Sequence, residues 1–420
     1  MLLGVIADDL TGATDVALML SREGMRVVQT VGVPAQGKPL PQADAVVVSM
    51  KSRTNPVGEA VAWSLQACDA LLAAGARQIL FKYCSTFDST DEGNIGPVAD
   101  ALMKRLGTRM TIACPAFPEN GRSVYLGHLF VGDVLLSDSP MKDHPLTPMR
   151  DASLVRVLQR QTKTPVKLLR QQSVAQGPEV VRGALQALAQ DGPVMVVADA
   201  ISNQDLRVLG EAMADEKLLT GGSGIALGLP ENFRRAGLLA PLSGAAVFAA
   251  PKGPSVILSG SCSAATNGQV AYAKGQGVPS LGLDPLAIAE KRQSVASVME
   301  WAKTQRQDAP FMIYSTAEPE AVRQVQERLG RDQSGQLIEH LLAEVAHQLF
   351  EQGVRRFVVA GGETSGAVVQ GLGVSMLEIG PEIDPGVPWT CAADGKPIAL
   401  ALKSGNFGTQ DFFLKALAML

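Results

Sequence analysis

The chain has 420 residues, too many for one comfortable core; at ~100–200 residues per domain it divides into two domains or three. Its formal net charge of -4, without a long Lys/Arg run, excludes the usual footprint of a nucleic-acid-binding protein. No apolar run reaches bilayer length and no secretory pattern opens the chain, so no membrane association is expected. The five cysteines, Cys68, Cys84, Cys114, Cys262 and Cys391, have neither paired nor zinc-type spacing and fit a reducing, cytoplasmic location.

In chain order, strands are expected at Leu2–Ala7, Arg26–Thr30, Ala45–Ser49, Gln78–Tyr83, Met110–Ala113, Val166–Leu169 and Val194–Ala198. Amphipathic helices fall between them, as at Val57–Ala74 and Glu179–Gln190. Continuous Val/Ile/Leu runs predict strands covered on both faces, the habit of a parallel sheet between helices. Residues 230–254 break the pattern with four prolines and no period. Further strands follow at Ser255–Ser259, Phe311–Ser315, Arg356–Ala360, Met376–Ile379 and Ile398–Lys403. The clearest helix carries Ile338, Leu341, Leu342, Val345, Ala346 and Leu349 as one apolar stripe. The fold class is therefore α/β, with two domains, each a largely parallel sheet flanked by helices: residues 1–235, a linker 236–254, and residues 255–420. The active site is expected in the interdomain cleft, on loops that leave the carboxyl ends of strands.

In the opening segment MLLGVIADDLTGATD, Asp8 and Asp9 end the first strand, and Thr11 reads as the N-cap of a helix starting near Gly12–Ala13. A carboxylate there stays ionised and repels phosphate, so the loop suits hydroxyl groups or a divalent metal. Lys51-Ser52-Arg53-Thr54 follows another strand end, and Arg53 could grip an oxyanion or belong to a solvated basic turn. Lys82 ends a strand ahead of Tyr83-Cys84-Ser85-Thr86-Phe87-Asp88-Ser89-Thr90 and Gly93-Asn94. With Ser85, Thr86 and Asn94, this loop offers donors and acceptors to a polyhydroxy acid, Thr11 on the first loop is a further substrate-binding candidate, and an inward lysine must be paired or useful. Cys114 reads as a buried structural thiol.

Three Gly/Ser-rich strand-to-helix turns follow in the second half: Ser259-Gly260-Ser261, Gly361-Gly362-Glu363-Thr364-Ser365-Gly366 and Lys403-Ser404-Gly405-Asn406-Phe407-Gly408. Small residues let the backbone approach phosphate, so together they point to nucleotide binding. The Walker pattern, the protein-kinase motifs and an opening GxGxxG are all absent. What remains is an unusual ATP domain beside a domain suited to a hydroxylated acid.

Together IADDLTGATD, KSRT, KYCSTFDST…GNIG, SGSCS, AGGETSG and LKSGNFG resemble the four-carbon acid sugar kinase family over nearly the whole chain. The YCSTFDST form resembles its 3-oxo-tetronate branch. The resemblance implies an N-terminal sugar-acid domain, a C-terminal ATP domain, and transfer of the γ-phosphoryl group to the terminal hydroxyl of a four-carbon acid. It also implies ATP contacts at Ser259, Gly361, Gly362, Glu363, Thr364 and Gly405. Mg2+ is expected to accompany ATP, with its ligands unknown. The partners are then a small-molecule sugar acid and ATP, without nucleic acid or membrane, and a homo-oligomer stays open. Asp9 or Asp8 would accept or orient the hydroxyl proton, with Asp88 as rival. Lys82 would neutralise charge on the transferred group, and Arg53 would hold the substrate carboxylate. The competing readings are a D-threonate or D-erythronate kinase, an NAD-dependent oxidoreductase, and a non-catalytic sugar-acid sensor.

Overall fold

The computed structural model describes residues 1–34, 39–144, 147–241, 248–305, 309–317 and 319–420. The chain forms two compact units, Met1–Ala245 and Ala246–Leu420. Of the proposed linker 236–254, residues 242–247 lie outside the described residues.

The first unit holds β1 (Leu3–Ala7), β2 (Val27–Val31), β3 (Ala45–Ser49), β4 (Gln78–Lys82), β5 (Met110–Cys114), β6 (Arg122–Tyr125), β7 (His128–Val131), β8 (Val134–Leu135), β9 (Val166–Leu169), β10 (Val194–Ala198) and β11 (Leu218–Gly221). Its main sheet runs β2-β3-β1-β4-β11-β5-β10-β9, every pair parallel. Strands β1, β3, β4, β5 and β10 are buried at every position, which is why they read as continuous apolar runs rather than alternating ones.

Some elements were not foreseen. Strand β11 is four residues long, yet it sits between β4 and β5. Strands β6, β7 and β8 form a separate antiparallel meander. Buried Asp199 ties it down, accepting the N–H groups of Leu126 and Gly127 at 2.8 Å each and that of Gln171 at 3.1 Å. The Pro-rich stretch begins with a helix, Pro230–Arg235, its proline in the first turn where a missing N–H does no harm.

The second unit holds β12 (Ser255–Ser259), β13 (Ser280–Gly282), β14 (Phe311–Tyr314), β15 (Arg356–Ala360), β16 (Met376–Asp384), β17 (Val387–Ala392) and β18 (Ala399–Lys403). From β13 the order is β14-β12-β15-β18 in parallel, and then β17 and β16 antiparallel. Strand β16 runs past Ile379 to Asp384, and β17 was not foreseen. Gly380, Pro381 and Pro388 hide this hairpin from a periodicity reading, and its register shifts beyond Ile379. Buried Trp389 on β17 donates its Nε1–H to the Ala416 carbonyl at 3.0 Å, anchoring the last helix. The stripe from Ile338 to Leu349 lies buried along the helix Arg331–Glu351. Among the described residues, no helix is long and apolar enough to cross a membrane.

Candidate active site

In the first unit the chemistry gathers where β3, β1 and β4, adjacent in the sheet, deliver their carboxyl ends. Asp8 and Asp9 follow β1, Arg53 follows β3, and Lys82 ends β4. Strand β1 stops at Ala7, so the two carboxylates are not forced to opposite faces. Both reach the Arg53 guanidinium. Its Nε and Nη2 donate to Asp8 Oδ2 and Oδ1 at 2.8 and 2.9 Å. Nη2 also donates to Asp9 Oδ1 at 2.8 Å, and Nη1 lies 3.5 Å from Asp88 Oδ2. The reading of this loop as a solvated basic turn does not hold, because Arg53 is the hub of three carboxylates.

Asp9, not Thr11, caps the helix, which begins at Leu10. Its Oδ1 accepts the Gly12 N–H at 3.1 Å and lies 3.8 Å from Lys82 Nζ; its Oδ2 accepts the Thr11 hydroxyl at 2.9 Å. Burial alone would raise the Asp9 pKa, but Arg53, Lys82 and these hydrogen bonds outweigh it and hold the carboxyl below its ordinary value. Burial wins at Asp8 and pushes that carboxyl up, against the pull of Arg53. The neighbouring aspartates are thus driven apart electrostatically. Asp9 is the more accessible, its side chain 25% exposed against 7% for Asp8.

The loop after β4 is held from within. Phe87 is fully buried at φ +52, a left-handed conformation that non-glycine residues seldom adopt, and its ring packs edge-on against Tyr83 at 5.3 Å. On either side, the Thr86 hydroxyl donates to Asp88 Oδ1 at 2.6 Å. Ser85 and Ser89 are buried nearby. Asn94 is built into the scaffold: its Nδ2 donates to the carbonyls of Ser52, Arg53 and Asn55 at 2.8–3.2 Å, fixing the loop that carries Arg53. A small void of about 10 Å³ touches Asp8, Arg53, Asp88 and Ser89. Ser89 also lines a cavity of about 450 Å³, with Thr90, Asp91, Met149, Asp151 and Arg160 among others. Cys114 is buried and its thiol is pushed up to about 12 by desolvation, as a structural cysteine should be.

Asp15, in the same opening segment, carries no role in the sequence reading. It lies on the buried face of the helix Leu10–Arg22 with Oδ1 unpartnered, and burial pushes its pKa up to about 6 against the field of Lys82. The available signal was a carboxylate inside the apolar run of that helix.

The second unit repeats the construction at β12, β15 and β18, again adjacent. Ser259 ends β12, buried, with its hydroxyl 2.6 Å from that of Thr316. Gly361 follows β15 at φ +121 and caps the helix Gly362–Gly371, which carries Glu363 and Thr364 in its first turn. Gly405 follows β18; a Cβ there would stand 2.6 Å from Ser261 Oγ. The N–H groups of Gly260 and Ser261 both donate to the Ala360 carbonyl, at 3.0 and 3.2 Å, so this turn offers a ligand its surface and not those donors. Ser259, Gly361–Thr364 and Gly405 are thereby brought to one edge of one sheet. Such a crowded, side-chain-poor cradle fits a nucleotide.

Residues 3–229 match the sugar-binding N-terminal domain family, and residues 256–413 match the nucleotide-binding C-terminal domain family. A protein of Cupriavidus necator named 3-oxo-tetronate kinase is 58% identical over all of this chain and 97% of its own length, and the same figures hold for the like-named protein of Burkholderia multivorans. A solved Salmonella typhimurium structure, 42% identical, aligns with 100% of this chain and 99% of its own at a TM-score of 0.87.

Gly12 is required by close approach: an added Cβ would lie 2.0 Å from Lys82 Nζ and 2.3 Å from Asp9 Oδ1. Gly12→Ala should displace both groups and lower kcat by ~10²-fold with the circular dichroism spectrum unchanged. Asp15 gives a pH signature. Its folded pKa of about 6 exceeds the unfolded value of 3.8, so its contribution is fully present below pH 3.8 and lost as pH rises through 6. Thermal unfolding of Asp15→Asn should therefore gain on the wild type between pH 4 and pH 7, by about 3 kcal/mol for a shift of this size. With both halves matched, the chain belongs to the four-carbon acid sugar kinase family.

Proposed function

We propose that this chain transfers the γ-phosphoryl group of ATP to the 4-hydroxyl of 3-oxo-tetronate, giving the 4-phosphate. Full-length relatives bearing that activity's name, at 45–58% identity, support the substrate. The observation that carries the chemistry is the cluster of Asp8, Asp9 and Asp88 around Arg53, beside Lys82, at the carboxyl ends of parallel strands. The threonate and erythronate reading and the NAD-dependent reading are not favoured by these relatives.

Phosphoryl transfer asks for positioning and charge neutralisation more than for covalent chemistry. Asp9 is the carboxylate assigned to the acceptor hydroxyl. It is ionised, the most exposed of the three, and oriented by Thr11 and the Gly12 N–H. Asp8 is assigned to hold Arg53 by its bidentate pair. Arg53 retains the substrate-carboxylate role, and its Asp88 contact at 3.5 Å is the weakest and the one a substrate would most easily displace. Lys82 supplies positive charge beside Asp9 for the transferring group. Ser85 and Ser89 are assigned to offer hydroxyls to the acid, Thr86 holds Asp88 through its hydroxyl, and Asn94 fixes the Arg53 loop. Ser259, Gly361–Thr364 and Gly405 are the residues assigned to ATP. Mg2+ would accompany the nucleotide and offset the charge of its phosphates; its protein ligands are not assigned.

The test is ADP release from ATP and Mg2+ across both enantiomers of 3-oxo-tetronate, D-threonate, D-erythronate and L-threonate. Turnover confined to an oxo acid is expected; turnover on a threonate or erythronate alone would move the chain to the other branch. Asp9→Asn keeps a good helix cap while removing the charge, and should lower kcat by ~10²–10⁴-fold. A change of only a few-fold would remove Asp9 from that role.

A further inference from the structure

Lys403, at the end of β18, is fully buried. Among the described residues no carboxylate pairs with it. Its ammonium donates only to the Thr266 hydroxyl at 2.9 Å and the Gly405 carbonyl at 3.0 Å. The same carbonyl also accepts the hydroxyls of Ser263 at 2.6 Å and Thr266 at 2.9 Å. Three donors on one carbonyl hold that peptide firmly. Farther along the loop, the buried Gln269 side chain donates through Nε2 to the carbonyls of Phe407, Gly408 and Thr409 at 3.0–3.1 Å.

These contacts have a geometric consequence. In a planar trans peptide the C=O and the following N–H point in opposite directions. Carbonyls 405 and 407 point at Lys403 and Gln269, so the N–H groups of Asn406 and Gly408 point away from those two side chains. Asn406 is exposed, and neither N–H meets an acceptor among the described residues. Thr409 pins the far end, its N–H and hydroxyl both donating to buried Asp384, which also pairs with Lys415. Gly405 meanwhile lies against the Ser261 turn of the nucleotide cradle.

We infer that Lys403 and Gln269 are positioning residues that turn the loop's carbonyls inward, so that the N–H groups of Asn406 and Gly408 form a seat for the distal phosphates of a nucleotide. The inference rests on the ATP reading of this unit and deepens it, naming which part of the nucleotide the loop receives. Desolvation supports it: burial pushes the Lys403 ammonium down to about 7, a cost that a phosphate close to the loop would offset. Lys403 thus serves behind the peptide, through the carbonyl it holds.

The test compares ADP with adenosine, which lacks phosphate, by calorimetry on the full chain. In Lys403→Met and in Gln269→Met, ADP binding should weaken by ~10–100-fold, while adenosine binding and the KM for the oxo acid stay unchanged. Equal losses for ADP and adenosine, or no loss for ADP, would overturn the inference. Should burial make either variant unfold, Thr266→Val removes one donor to the Gly405 carbonyl and one acceptor of Lys403, and is judged by the same ADP-to-adenosine ratio. Failure of the wild type to bind ADP would instead overturn the ATP reading itself.

Discussion

The first unit's site depends on one guanidinium. Arg53 presents donors in a rigid planar fork and keeps its charge at any working pH, which a lysine could not match at this position. Asp8, Asp9 and Asp88 come from two loops and would repel one another without it. Burial makes the arrangement costly to disturb, because a carboxylate stripped of its partner in a desolvated place has no water to turn to. Everything nearby serves this cluster. Asn94 holds the Arg53 loop by three carbonyls, the Asp9 cap begins the first helix, and buried Phe87 anchors the loop between Thr86 and Asp88.

The two units use one solution with different side chains. In each, three adjacent parallel strands bring their carboxyl ends together, and the loops that leave them carry the candidate site residues. One set of loops carries charge and hydroxyls; the other is stripped to glycine and serine. The difference suits the proposed ligands: a small acid needs directional polar groups, whereas phosphates need close access to backbone donors.

Much of this was legible in the sequence because parallel, doubly covered strands leave unmistakable apolar runs. Ala45–Ser49, Val166–Leu169, Val194–Ala198, Ser255–Ser259 and Arg356–Ala360 coincide with the observed strands. Leu218–Gly221 was hidden by its length, and the continuation of β16 past Ile379 together with β17 by prolines and glycine that the hairpin absorbs as register shifts. At the site, residue types were legible but pairings were not. Nothing local in the sequence tells that Asp8 and Arg53, 45 positions apart, share two hydrogen bonds, or that the Asn94 amide is committed to backbone. Lys403 was visible in its motif, but its burial without a counter-ion is a property of packing alone.

Phe87 bears on how such a site can change over time. Its backbone favours glycine, while its surroundings demand a large ring. Glycine there would ease the backbone and leave a hole; a β-branched residue would worsen the backbone and fill the space poorly. No single replacement satisfies both. The loop that carries Thr86 and Asp88 is therefore insulated from stepwise drift, and a lineage moving toward a different acid would have to revise the loop as a block rather than residue by residue.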